Sequence, residues 1–299
     1  MNESPFLQAG FSLARLHSLV RVDDAGGIAA AAPDDPSQQS QLSRNLSELE
    51  AVFGAELRRR KGRGIELTDA GKRLAELARS HLQALDDFAD ECRAEPLELR
   101  IGASQSALEW VFLPHVREID WGDPPPRLVL KSLRSREVMQ GLDDFSLDIG
   151  IVRKSAITSK RINTRKLASV RYALFVRKGM ARRCGDDPLE VLRRIPLATS
   201  MGGEYRRRFD ELSAEEGVVP EVRYACSSFR TALEALKKDP SLAALLPDSA
   251  SEDLDANRFV ALDLPFLRPY SRELVLAWHD RIEQIRPGAW EVIRRLIGK

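Results

Sequence analysis

Residues 26–72, GGIAAAAPDDPSQQSQLSRNLSELEAVFGAELRRRKGRGIELTDAGK, constrain this chain more than any other stretch. A short alanine-rich run is broken by two prolines and two aspartates, and an amphipathic segment follows. Asp35, Pro36, Ser37 and Gln38 supply an N-cap, a proline at the first helical position and a capping-box partner, which predicts a helix over residues 36 to about 52. Leu42, Leu46, Leu49 and Phe53 recur at helical spacing and form the buried stripe, leaving Gln38, Gln39, Ser40, Ser43, Arg44 and Ser47 to face outward. Pro33 and the two aspartates stop the preceding helix near Ala32.

The outward face has the chemistry of a groove reader. Gln can bond an adenine edge twice, Arg can pair with guanine or phosphate, and Ser serves either. Beyond Gly54 the chain runs Arg58, Arg59, Arg60, Lys61, Gly62, Arg63, Gly64 and then Ile65, Glu66 and Leu67, which reads as two short strands around a glycine turn. Such a hairpin would carry its cations beside the helix as a wing and neutralise phosphates. The clustering matters more than the total, since residues 1–95 hold 12 Lys and Arg against 16 Asp and Glu. Two helices, a turn and a basic hairpin make a winged helix-turn-helix.

This stretch resembles the LysR-type transcriptional regulators. Their pattern of Gly-Ser, paired alanines, Ser-Gln, Leu-Ser-Arg, Leu-Glu, Gly, an Arg-rich wing and Leu-Thr-x-Ala-Gly is met by Gly26-Gly27, Ala31-Ala32, Gln38-Gln39, Leu42-Ser43-Arg44, Leu49-Glu50, Gly54, Arg58 to Arg63 and Leu67-Thr68-Asp69-Ala70-Gly71, without a gap. The chain departs from the pattern at Asp35, where the family has an apolar residue packing the turn. The resemblance implies a sequence-specific regulator that binds double-stranded operator DNA and responds to a small-molecule effector. It implies a homodimer assembling further into a homotetramer, RNA polymerase as a candidate partner, and no cofactor.

Thr68 is placed to cap a long helix running to about Cys92, with Leu74, Leu77, Ala78, His81, Leu82, Leu85, Phe88 and Ala89 near three-and-four spacing. That stripe is too long for one small domain to cover, so a linker helix pairing with its copy in a second subunit is expected. The chain then divides into a winged helix-turn-helix over 1–67, a linker helix over 68–95 and an effector-binding domain over 96–299.

From residue 97 onward, apolar runs alternate with helical patterns. Residues 97–103, 127–133 and 147–152 read as strands, with helices at 107–119 and 135–142 between them. A second set follows, with strands at 168–177, 195–199, 222–225 and 243–246 and helices at 188–194, 204–216 and 229–238. A strand at 273–277 and a helix at 287–297 are expected to return to the first sheet. The reading from the residues is a two-lobed α/β domain. The resemblance makes it a periplasmic-binding-protein-like (type 2) module, with lobe I at about 96–163 and 269–299 and lobe II at about 164–268.

Ligands of open α/β sheets sit beyond the carboxyl ends of the strands. Ser104, Gln105 and Ser106 follow the first strand, and Thr199 and Ser200 follow a strand of the other lobe, offering hydroxyls and N–H groups suited to a small anion. Capping alone would equally account for these Ser and Thr residues. Asp148 to Val152 resembles the family's strand toward the hinge, placing Val152 and Arg153 at the cleft border, whereas Asp239-Pro240-Ser241 replaces the family's Gly-x-Gly.

Other classes find less support. There is no Gly-x-Ser-x-Gly elbow, phosphate loop, dinucleotide fingerprint or catalytic cysteine signature, so no enzyme is expected. Cys92, Cys184 and Cys226 are widely spaced, and His17, His81, His115 and His279 are scattered, which fits neither a disulfide framework nor a metal site. No apolar run reaches membrane-spanning length and MNESPFLQAG lacks a signal-peptide order, so a cytoplasmic protein without membrane contact is expected. The alternatives left open are a cytoplasmic solute-binding protein and a scaffold whose helix-turn-helix has lost DNA binding.

Overall fold

Ser12 begins the first helix by accepting a hydrogen bond from the Arg15 N–H, and Gly26, with φ 76°, ends it. The computed structural model describes residues 10–61, 64–93, 95–201, 203–268 and 272–298. Helix α1 (Leu13–Ala25), which the sequence pattern left undrawn, packs on α2 (Ile28–Ala31) and α3 (Pro36–Phe53) around Leu19, Val22, Leu42, Leu46 and Leu49. The Asp35 carboxylate accepts from the Gln38 N–H at 2.9 Å, as a cap should. The expected capping box does not close, because the Gln38 carbonyl oxygen instead receives Arg21 Nη2 at 3.4 Å.

Strands β1 (Arg58–Lys61) and β2 (Gly64–Leu67) pair antiparallel as the wing. Helix α4 (Asp69–Cys92) follows, about 36 Å long at 1.5 Å per residue. Two glycines of the pattern allow the wing to seat against the helices. A Cβ at Gly71 would lie 2.1 Å from the Leu57 carbonyl oxygen, and one at Gly27, whose φ is 153°, would lie 2.6 Å from that of Ile65.

The remainder forms two five-stranded sheets. In the first, β3 (Glu98–Ala103) leads through α5 (Gln105–Ala107), a π-helical turn (Leu108–Phe112) and α6 (Leu113–Val116) to β4 (Arg127–Ser132). Helix α7 (Ser135–Asp143) then leads to β5 (Ile149–Arg153) and β6 (Ile162–Val170). The second contains β7 (Tyr172–Arg177), α8 (Lys178–Arg183), α9 (Pro188–Arg194), β8 (Leu197–Ser200), α10 (Gly203–Glu215), β9 (Val222–Cys226), α11 (Phe229–Lys238), β10 (Ala243–Pro247) and β11 (Phe259–Asp263). The chain returns with β12 (Arg272–His279), α12 (Ile282–Ile285) and α13 (Pro287–Gly298).

Strand order is β4-β3-β5-β12-β6 in the first sheet and β11-β7-β10-β8-β9 in the second. The crossover strands are parallel, while β12, β6, β7 and β11 join antiparallel. The strand expected at 168–177 is therefore two strands in different sheets, broken at the exposed Arg171. The crossing between lobes comes after Val170, not near residue 164. The cause of the misreading is β6, whose exposed Asn163, Thr164, Arg165 and Lys166 edge the first sheet and lack the apolar run of an interior strand.

An ion cluster fastens α4 to the first lobe. Arg286, fully buried, pairs with Asp87 of α4 through Nε and Nη2 at 2.6 and 2.7 Å and with Asp148 through Nη1 at 2.5 Å. Arg100 shares Asp148 and also donates to Gln83 of α4 at 2.9 Å. Closer to the helix start, Arg79 pairs with Asp23 and Asp24 of α1 and donates to the Asp144 carbonyl at the end of α7. Burial raises the Asp23 carboxyl above its usual range, against the opposing pull of Arg79.

Candidate DNA interface and effector cleft

Helix α3 and the wing lie side by side, held by one side chain. Arg58 Nη1 donates to the Ser43 hydroxyl and carbonyl, Nη2 donates to the Ser47 hydroxyl at 2.6 Å, and Nε sits 3.4 Å from Glu50. The other Glu50 oxygen accepts the Leu57 and Arg58 N–H groups. Ser43, Ser47 and Arg58, expected to face DNA, are thus committed to one another and set the angle between wing and helix. Gln39 is similarly engaged, its amide donating to the Ala32 carbonyl across the turn at 2.8 Å. This bond and the Asp35 cap hold a turn that contains Asp34 at φ 59°.

The remaining expected contacts differ in freedom. Ser40 is exposed with its hydroxyl on the Pro36 carbonyl, and Gln38 is exposed beside Arg21. Arg59 is exposed and pairs across the hairpin with Glu66 at 2.9 Å. Arg44 and Arg60 are exposed and have no polar protein partner among the described residues. Lys61 has its backbone in β1, and Arg63 lies outside the described residues.

Along α4 the expected stripe separates into two faces. Ala75 and Ala78, with Leu74 and Leu82, join the core of the first three helices. Leu77, Leu85 and Phe88 are 48%, 49% and 63% exposed and, with exposed His81, form an apolar strip that none of the described residues covers.

Between the two sheets lies a cleft of about 880 Å³. Ser104, Gln105, Ser106, Val152, Arg153 and Ser200 line it, as expected. Ser104 also caps α5 by accepting the Ala107 N–H at 3.4 Å, so lining and capping coexist in one residue. Thr199 does not reach the cleft. It is fully buried in β8 with no hydrogen-bond partner for its hydroxyl, because alternation along the strand turns Thr199 to the same side as core Leu197 and leaves Ser200 at the strand end to face the opening.

Sequence reading missed about three-quarters of the wall. Ser132 ends β4 and Arg134 begins α7, while Ser227 and Ser228 stand between β9 and α11. Applying the strand-end rule to every strand would have found them. Tyr172, Tyr205 and Phe229 cluster at one side, and the Arg272 guanidinium lies over Tyr172 and Tyr205 at 5.5 and 4.8 Å from the ring centroids. Among the described lining residues, Arg134, Arg153 and Arg272 outnumber the single acid Glu137.

Comparisons with known proteins match both domains of the chain. Residues 13–72 match the bacterial regulatory helix-turn-helix proteins of the lysR family, and residues 94–296 match the LysR substrate binding domain. An uncharacterised HTH-type transcriptional regulator of Mycobacterium tuberculosis is 25% identical over 277 residues, covering 86% of this chain and 87% of that protein. Among solved structures, ArgP of Mycobacterium tuberculosis superimposes with TM-score 0.65 at 16% identity, covering 95% of this chain and 96% of the other. Full-length CbnR complexed with its target DNA gives TM-score 0.58 at 21% identity, covering 96% and 100%.

Proposed function

The chain belongs to the LysR family and is a DNA-binding transcription regulator with an effector-binding domain, and from this premise we propose how its own residues divide that work. Arg44 on α3 and Arg60 on the wing make the first contacts with operator DNA, Arg44 toward base edges and Arg60 toward phosphate. Gln38, Ser40 and Arg59 complete the exposed reading face, and Lys61 and Arg63 are assigned to the same DNA contact by their place in the basic run. Ser43, Ser47 and Arg58 act one step back by fixing the helix and wing in register, and Gln39 does so by holding the turn before α3.

The apolar strip of Leu77, Leu85 and Phe88 supports dimerisation through α4, which would set two recognition helices on successive half-sites. Homotetramer assembly, contact with RNA polymerase and a cytoplasmic location follow from the same family reading. The excess of arginine in the cleft favours a small anionic effector held by Ser104, Ser106, Ser200 and the arginines around them. An effector that prefers one arrangement of the lobes would shift subunit orientation and thereby DNA contact.

The observation that carries this reading is the pair of exposed, unpartnered cations Arg44 and Arg60 on adjacent elements braced by Arg58. Selection of DNA from a random pool by the full-length protein tests it. The expected product is a two-fold site with half-sites roughly 34 to 36 Å apart or a multiple of that. A bound pool with no shared motif would sink the assignment.

A further inference from the structure

The π-helical turn Leu108–Phe112 belongs to the first lobe, yet two of its side chains reach into the second. Trp110 packs against the core that includes Phe175, Leu233 and Leu246, and Val111 against the core that includes Leu174, Phe209 and Leu245. Trp110 Nε1 donates to Asp253 Oδ2 at 2.8 Å. Arg230, at the start of α11 in the second lobe, pairs with the same Asp253 oxygen and stands 3.8 Å from Glu109 of the first lobe. Glu109 also accepts from Gln105 at 3.1 Å, and Gln105 lines the cleft. Every polar member of this group joins the seam between lobes.

We infer that Glu109, Trp110, Arg230 and Asp253 form a latch by which the protein's own side chains hold the two lobes together beside the cleft, with Arg230 as its centre. A half-exposed ion pair alone contributes little. Here the charge balance decides. Among the described residues Arg230 is the cation that faces both Asp253 and Glu109, Glu234 being paired more closely with Lys237 at 3.1 Å, and the Glu109 Oε2 atom is buried with no hydrogen bond. Removing the guanidinium leaves carboxylates from both lobes facing each other, one with an oxygen out of water's reach. The indole bond and the apolar seating of Trp110 and Val111 then have to hold the seam against repulsion. Because Gln105 touches both Glu109 and the cleft, a ligand that draws Gln105 away loosens the latch. That control step rests on the effector role proposed above, whereas the latch itself rests on geometry alone.

The test uses full-length protein with no small molecule added, so its outcome does not depend on the function proposed. Spin labels at Lys131→Cys and Lys238→Cys, both exposed and in opposite lobes, report interlobe distance in a Cys92→Ser background. A single narrow distance is expected with the natural latch. Arg230→Gln is expected to add a longer population and to speed amide exchange in residues 105–112 and 229–234 by about tenfold. Arg230→Lys should stay near the natural distance, and adding Glu109→Gln to Arg230→Gln should bring the short distance back. If Arg230→Gln fails to fold, Trp110→Phe, which removes the indole bond and trims the seated ring, should still lengthen the distance. A folded variant of either kind with unchanged distance and exchange overturns the latch. Operator binding measured on the same samples reports the functional reading separately.

Discussion

Arg58 Nη1 donates to both the hydroxyl and the main-chain carbonyl of Ser43, at 2.7 and 2.9 Å, so an arginine of the wing is tied to the helix it stands beside. Of the three arginines on β1, Arg58 braces, Arg59 pairs across the hairpin with Glu66, and Arg60 has no polar side-chain partner among the described residues. Arg58→Ala should lower stability by about 1 to 2 kcal/mol, since Glu50 and two serines lose a shared partner, and weaken binding to all DNA alike. Arg60→Gln should leave stability unchanged and reduce the slope of log affinity against log salt by about 0.9. Urea unfolding and binding at several salt concentrations separate the two. The brace is wrong if Arg58→Ala changes the slope by that amount and stability not at all.

Thr199 and Ser200 adjoin in sequence but face different surroundings. The Thr199 hydroxyl is buried without a partner, so Thr199→Val should stabilise the protein by about 1 kcal/mol and leave effector response untouched. Ser104→Trp should fill the cleft and abolish the response while operator binding persists. Thermal unfolding with a reporter assay distinguishes these outcomes. A lost response in Thr199→Val would return that residue to the binding wall.

The contrast shows where sequence reasoning reaches. Caps, turns and apolar periods are local, so Asp35, Pro36 and the stripe of Leu42, Leu46 and Leu49 announced α3 before any coordinates. Helices at Pro188–Arg194 and Phe229–Lys238 have the ends their patterns predict. Residues whose role depends on a distant partner were opaque. Nothing local says that Arg58 will meet Ser43, that Arg286 will find Asp87, or that a hydrophilic edge strand such as β6 belongs to the first sheet. Strand-end serines were legible by rule, but the Tyr172, Tyr205 and Phe229 cluster needed three elements brought together.

The buried Arg286 invites the next substitution. Its guanidinium is fully enclosed and satisfied by Asp87, Asp148 and the Glu98 carbonyl. Arg286→Met should destabilise by roughly 3 to 5 kcal/mol, because Asp148 stays buried with only Arg100 to balance it and Asp87 loses its cation, keeping only the Gln83 amide. Combining it with Asp87→Leu should recover part of the loss. Equilibrium unfolding of the four proteins in this cycle gives the coupling, and additive effects would dissolve the proposed cluster.

Leu85 and Phe88 test the assembly. Both are exposed on α4, away from the core that Ala78 joins, so Leu85→Glu with Phe88→Glu should cost the folded subunit little and break the dimer. Sedimentation should show a smaller assembly than that of the natural protein, and operator affinity should drop with it as the proposed pairing of half-sites is lost. A double variant that keeps the natural mass moves the interface elsewhere.

His279 is expected to make the fold sensitive to mild acid. It is buried at the end of β12, tilted against Phe145 with ring centroids 4.6 Å apart, and its Nδ1 accepts the Arg281 N–H at 3.1 Å while the Asp280 carboxylate lies 3.0 Å from the same atom. Burial holds its pKa below the usual value, helped by Arg161 and Arg281 and opposed by Asp280 and Asp143. A depressed histidine binds its proton more tightly when unfolded. The stability it contributes is therefore complete above the unfolded pKa of about 6.5 and declines as pH falls from there through the folded value. The raised carboxyls of Asp23, Glu76 and Asp143 act in the opposite sense as they take up protons, and they are common to the natural protein and a His279 variant. Between about pH 6.5 and 5.5 the histidine should dominate. His279→Asn keeps an acceptor for the Arg281 N–H and does not titrate, so its urea midpoint should stay level across that window while the natural protein's falls. Parallel curves for the two proteins would show that His279 keeps an ordinary pKa.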